Sequence, residues 1–319
     1  MIVFAGWEMP LRFKGITEEV LGVRERVGVF DVSHMGRILI EGENAFDLLQ
    51  YTTTNDVGKM HDFKCQYTTI TNEKGGIKDD AIHTRLSKDK YLLVCNAVNR
   101  EKILNWLKTV TSMKKYRVNV KDITFETVML AVQGPLAEEC LNKVVDYDLT
   151  SLKRFRAVET KILDYNVLVS RTGYTGEDGF EIILFKATEK SGEEITRKIL
   201  EAGKDFRICM CGLGARDVLR IEAGMVLYGH EISEDITPLE AGLGFVVKLD
   251  KGDFIGREIL KEQKEKGVKR IRVGFRMKSK AIPRKGNKIL VEGEEKGEVT
   301  SGTYSPIVGS SIGMGFLPP

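Results

Sequence analysis

Residues 71–85, TNEKGGIKDDAIHTR, constrain this chain more than any other stretch. Two adjacent glycines, Gly75 and Gly76, supply the backbone freedom that a tight turn needs. The runs on either side, residues 66–71 and 77–85, read as strands, so the segment predicts a hairpin. Side chains alternate along a strand, which sends Ile77, Asp79, Ala81 and His83 to one face and Lys78, Asp80, Ile82 and Thr84 to the other. On this reading Asp79 and Asp80 point opposite ways and form no carboxylate dyad. Asp80 stands beside Ile82, and a carboxylate on a partly apolar face is a candidate general base. A solvated aspartate flanking a turn fits the same residues, and taken alone fits them better.

Of 319 residues, 42% are hydrophobic and 30% charged, enough to bury a large core, and the length suggests about two or three domains. The 49 basic and 46 acidic residues leave a net charge of +3. That near balance argues against a protein built to grip a nucleic-acid backbone. No apolar run approaches membrane-span length, and the opening MIVFAGWEMP lacks the basic flank and long apolar core of a signal peptide. The expectation is a cytoplasmic protein with no membrane partner. The five cysteines, Cys65, Cys95, Cys140, Cys209 and Cys211, show no CxxC spacing, and the Cys209-Met210-Cys211 run is too tight for a zinc half-site. They read as buried free thiols of a reducing compartment. The four histidines, His34, His61, His83 and His230, are scattered, so neither a metal site nor a Ser/His/Asp arrangement is expected.

Along the chain, residues 36–41 alternate as a strand, and residues 44–51 read as a short helix behind Asn44. Residues 91–96 predict a strand with Leu92, Val94 and Asn96 on one face. Asn99 then caps a helix whose apolar stripe is Ile103, Leu104, Leu107 and Val110, with Trp106 at its edge. Residues 127–132, 159–170 and 179–184 predict further strands, and residues 189–202, 213–223 and 254–266 predict helices. Residues 270–316 carry only short strand-like runs broken by Gly and Pro, the pattern of an all-β module. A boundary falls at residues 266–269.

Several blocks carry a resemblance. They are FAGWEMP from Phe4, DVSHMG from Asp31, TNEKGGIKDD from Thr71, SRTGYTGEDGFEI from Ser170 and CGLGARDVLRIEAGMVLYG from Cys211. TPLEAGLGF from Thr237, DFIGREIL from Asp253 and GEVTSGTYSP from Gly297 follow in the same order. Together they closely resemble the aminomethyltransferase family, the tetrahydrofolate-dependent T-proteins of the glycine cleavage system. The resemblance implies an α+β, multi-domain fold: antiparallel sheets with helices around a central folate pocket, and a C-terminal β-barrel-like module. Residues 1–266 would form the folate-binding region, as two interleaved α+β subdomains, and residues 267–319 the module. It also implies transfer of a methylene carbon from an aminomethyl-dihydrolipoyl carrier, the H-protein, to tetrahydrofolate, with release of ammonia.

The family's catalytic aspartate falls on the second Asp of GGIKDD, which is Asp80, the residue that strand alternation selects. An arylamine is a modest nucleophile, and its attack develops positive charge that a desolvated carboxylate stabilises before taking the proton. Tyr67 and Asn96 match family positions near the folate, and Glu181 and Arg216 match positions that hold it. Met35, Tyr174 and Tyr228 match walls of the same pocket. Each has a plainer reading. Tyr67 fits an ordinary strand aromatic, and Arg216 fits a solvated helix face shared with Arg220 and Glu222. His34 in DVSHMG fits satisfying a backbone group as well as it fits touching the ligand. Lys278, Lys280, Arg284, Lys285 and Lys288 read as a solvated basic loop that could also meet folate polyglutamate tails or an acidic carrier.

The family pattern normally adds residues before FAGWEMP and closing strands after GMGFLPP, so the C-terminal barrel is expected to be incomplete here, with open β edges. Two alternatives share the folate site: a folate-dependent demethylase with another one-carbon donor, and a folate-binding iron-sulfur assembly protein. The second carries a KGCYxGQE-like motif, and Asp253 occupies the place of its cysteine.

Overall fold

The computed structural model describes residues 1–319. The chain forms two compact units, each drawing on separate stretches of sequence. One comprises Met1–Arg37, Phe63–Cys65 and Asp122–Ala223; the other comprises Ile38–Asp62, Gln66–Lys121 and Gly224–Pro319.

The first unit is built on a six-stranded sheet in the order Ala157–Ile162, Tyr165–Ser170, Gly179–Phe185, Thr127–Gln133, Gly28–Asp31, Cys209–Met210. All its pairings are antiparallel except that of Cys209–Met210 with Gly28–Val29. One face buries Val29, Leu130, Val132, Val167, Val169, Phe180 and Ile182 against Ile195 and Ile199 of the helix Glu189–Ala202. That helix starts on a capping box, with Thr188 and Ser191 each accepting from the other's backbone N–H. The expected strand 159–170 is two strands, because Leu163 adopts φ 56° between Ile162 and Tyr165 and turns the chain back.

The second unit holds a five-stranded sheet ordered Cys65–Thr71, Ile77–Ser87, Lys90–Cys95, Gly36–Glu41, Asn119–Asp122. The helices Ala45–Thr52 and Arg100–Lys114 contribute Leu48, Leu49, Ile103, Leu107 and Val110 to its core with Ile38, Ile40, Ile70 and Leu93. A second cluster gathers Ile77, Val226, Ile232, Ile236, Ala241, Leu243, Val246 and Phe316, with Tyr67 and Tyr228 packed against it. The four-stranded antiparallel sheet Ile271–Arg276, Ser310–Leu317, Glu294–Ser305, Lys288–Val291 is the β module expected from residues 270–316. The predicted helix 254–266 begins at Arg257.

The turn between Thr71 and Ile77 is more constrained than a generic Gly-Gly pair. The Asn72 side chain accepts N–H bonds from Lys74 and Gly76, at 3.0 and 2.9 Å, and donates to the Glu234 carbonyl at 3.0 Å. Gly75 takes φ +77°. Gly76 does not; it lies so close to Glu234 that an added Cβ would sit 1.8 Å from that carbonyl oxygen. The Ile77 N–H then donates to the Ser233 and Ile236 carbonyls, both at 3.0 Å. These contacts fix where the strand starts, and therefore which of its side chains face inward.

Candidate active site

The strand Ile77–Ser87 alternates as its sequence predicts. Ile77, Asp79, Ala81 and His83 are buried, and Lys78, Asp80 and Ile82 are half-buried. Asp80 is held at both oxygens. Tyr67 Oη donates to Oδ2 at 2.9 Å, and Asn96 Nδ2 donates to Oδ1 at 2.7 Å. The Tyr67 ring in turn stacks on Phe245, 6.2 Å between centroids, and Phe245 itself is 64% exposed. Burial pushes the Asp80 carboxyl above the ordinary aspartate range, while the Tyr67 and Asn96 hydrogen bonds pull it back. An aspartate so placed is desolvated enough to seek a proton and oriented enough to take it from one direction.

Asp79 takes the face that the sequence predicts. Its side chain does leave the strand on the opposite face, yet the two carboxylates are not independent, because Asn96 Nδ2 donates to Asp79 Oδ1 at 2.8 Å as well as to Asp80. Burial and then the charge of Asp80 push the Asp79 carboxyl upward too. Asn99 is a correction to the sequence reading. It sits at the N-cap of Arg100–Lys114, but its side chain caps nothing there; its amide donates to Asp79 Oδ1 at 2.6 Å. The Asn96-x-x-Asn99 spacing was the available signal, since one turn of 3₁₀ helix, Ala97–Asn99, brings both amides to one side. Tyr228 lies in the same unit, its hydroxyl accepting from Lys102 Nζ at 2.7 Å while Lys102 also pairs with Glu234 at 3.1 Å.

The remaining predicted residues lie in the first unit. Arg216 projects from the helix Leu213–Glu222, with its guanidinium 4.7 Å from the centroid of the Tyr174 ring. Burial lowers the Arg216 pKa, and the Glu181 charge opposes that. One guanidinium nitrogen, Nη1, is buried without a hydrogen-bond partner, an arrangement that fits an incoming carboxylate or carbonyl. Glu181 sits in the strand Gly179–Phe185 and accepts from Thr172 Oγ1 at 2.5 Å. Met35 occupies the turn before Gly36, where its carbonyl accepts from Arg37 Nη1 at 2.5 Å. His34 is buried, and burial with the Arg216 and Arg37 charges holds its imidazole neutral, at about 3.

The solvated ion-pair reading of the Arg216 helix does not hold. Arg220 is buried and donates to Asp217 at 2.8 Å, and half-buried Glu222 turns its side chain inward onto Arg24, also at 2.8 Å. The start of that helix is fixed by Glu19, which accepts from the Gly212, Phe13 and Lys14 N–H groups at 2.9, 2.7 and 2.9 Å. Gly212 approaches Leu11 too closely for a side chain, since a Cβ would lie 2.5 Å from its carbonyl.

Residues 1–251 match the GCVT N-terminal domain and residues 270–319 match the glycine cleavage T-protein C-terminal barrel domain. The chain is 47% identical over 318 residues to an aminomethyltransferase of Caldanaerobacter subterraneus subsp. tengcongensis, covering 99% of this chain and 84% of that one. It is 45% identical over 321 residues to an aminomethyltransferase of Halalkalibacterium halodurans, covering 99% and 86%. The crystal structure of the glycine cleavage system aminomethyltransferase T from Bartonella henselae superposes with a TM-score of 0.90 at 35% identity, covering 99% of this chain and 85% of that chain. With both domains matched in order and near-complete coverage by relatives at this identity, the chain belongs to the glycine cleavage T-protein family.

Proposed function

We propose that this chain is an aminomethyltransferase that moves the methylene carbon of an aminomethyl-dihydrolipoyl carrier protein to tetrahydrofolate, with ammonia released. The observation that carries the reading is Asp80: a half-buried carboxylate with each oxygen held by one donor, Tyr67 or Asn96. Tetrahydrofolate, when bound, supplies the amine that accepts the carbon. Asp80 stabilises the positive charge that develops on that amine and receives its proton at a carboxylate oxygen. Tyr67 and Asn96 keep the carboxylate from rotating, so no reorganisation is needed as charge appears. The exposed Phe245 ring stacks on the Tyr67 ring.

In the same proposal Arg216 and Glu181 hold folate polar groups, and Met35, Tyr174 and Tyr228 line its binding surface. The unpartnered, buried Nη1 of Arg216 supports this for the guanidinium. Residues 1–266 carry the folate-binding region and residues 267–319 the β module, a division supported by the four-stranded sheet lying wholly within Ile271–Leu317. The setting is a reducing, cytoplasmic one, which the five free cysteines support. No helix is long and apolar enough to cross a membrane. The experiment is tetrahydrofolate-dependent ammonia release from an aminomethylated lipoyl carrier. Turnover only with a methylated small-molecule donor would replace the carrier in the proposal.

A further inference from the structure

The proposed chemistry uses Asp80 and leaves its neighbour Asp79 without a role, although Asp79 is fully buried and carries a charge-bearing group. Burying a carboxylate is expensive unless donors surround it, and here they do. Oδ1 accepts from Asn96 Nδ2 at 2.8 Å and Asn99 Nδ2 at 2.6 Å, and Oδ2 accepts from the Asn96 backbone N–H at 3.0 Å. All three partners are donors, so the carboxyl is fixed at both oxygens even though burial and the Asp80 charge raise its pKa to about 8.

The consequence lies in Asn96. A side-chain amide nitrogen has two hydrogens. One is taken by Asp79 Oδ1 and the other by Asp80 Oδ1, at 2.7 Å. Flipping the amide would turn its carbonyl oxygen toward the oxygens of both carboxyl groups and forfeit both hydrogen bonds. Asn99 in turn anchors Asp79. We infer that Asp79 is a positioning residue that acts through Asn96, locking the amide so that its second N–H fixes the Asp80 carboxylate for proton transfer. This rests on the reading of Asp80 given above.

The test uses the full chain with Asp79→Asn and Asn99→Ala. Two readouts are taken: kcat and KM for tetrahydrofolate in the ammonia-release assay, and the titration of the Asp80 carboxyl by carbon-13 NMR in ligand-free protein. The NMR signal is assigned by its loss in Asp80→Asn. Asp79→Asn is expected to lower kcat about 10- to 100-fold with KM within about three-fold. The Asp80 titration should move to higher pH, because an unlocked Asn96 amide no longer holds the ionised carboxylate. A folded Asp79→Asn protein with wild-type kcat, or with an unmoved Asp80 titration, overturns the inference. If Asp79→Asn does not fold, Asn99→Ala decides: reduced kcat at unchanged KM supports positioning, and wild-type kcat refutes it. Wild-type protein inactive in the assay would defeat the proposed function, while the titration would still test the coupling of the two carboxylates.

Discussion

Gly76→Ala should be among the most damaging single-methyl changes in the second unit, and its size follows from the turn. The added Cβ would lie 1.8 Å from the Glu234 carbonyl oxygen, 2.6 Å from its carbon and 3.1 Å from Asn72 Nδ2. Neither the carbonyl nor the turn is the far end of a flexible side chain, so backbone must move by more than 1 Å to reach ordinary contact. Overpacking of this kind costs about 1–3 kcal/mol. The movement also pulls apart the Asn72 to Glu234 and Ile77 to Ser233 hydrogen bonds, each worth about 1 kcal/mol. The expected loss is therefore about 3–5 kcal/mol. With a urea slope of about 3 kcal/mol/M the unfolding midpoint falls by about 1 M or more. Gly75→Ala is the control. Its Cβ meets only side-chain carbons at 3.4 Å, so it suffers the left-handed φ alone, about 1–2 kcal/mol. A Gly76→Ala midpoint equal to that of Gly75→Ala or of the wild type would refute the close-approach argument.

Two other perturbations test the site and its surroundings. Arg216→Met should weaken tetrahydrofolate binding, measured calorimetrically, about 10- to 100-fold, as loss of a charge-assisted hydrogen bond predicts; unchanged affinity would remove Arg216 from the binding surface. His83 is buried with Nε2 on Gln66 Oε1 at 2.9 Å, and burial, then the Lys251 charge, lowers its pKa from the ordinary 6.5 to about 3. The unfolded chain then binds a proton that the folded chain refuses. Stability attributable to this neutral histidine is present above pH 6.5 and is lost as pH falls toward 3, by about 1.4 kcal/mol per pH unit at most. Melting temperature against pH should accordingly decline less steeply in His83→Gln than in the wild type, and identical slopes would contradict this.

Local sequence carried the parts of the fold where one face is buried and the period is clean. Alternation through Ile77–Ser87 and the apolar stripe of Arg100–Lys114 were both legible for that reason. The break at Leu163 was not, because nothing in an apolar run marks the residue that will take a positive φ. Asn99 was misread for a different reason. Propensity places an Asn at a helix start to cap it, but a buried carboxylate within reach is the stronger acceptor, and the amide goes there instead. Arg220 and Glu222 were read as surface charges from composition alone. Their burial depends on Asp217 one turn back and on Arg24, some two hundred positions away in sequence, and periodicity does not report such a partner.

A desolvated, doubly held carboxylate at position 80 is the point on which the proposed chemistry turns. Steady-state ammonia release by Asp80→Asn, with tetrahydrofolate affinity measured on the same preparation, tests it most directly. The account predicts a fall in turnover of about 10²- to 10⁴-fold with affinity largely retained, because the amide keeps the shape of the carboxylate and cannot take the proton. Turnover near the wild-type rate, with the variant folded and binding folate, would contradict it.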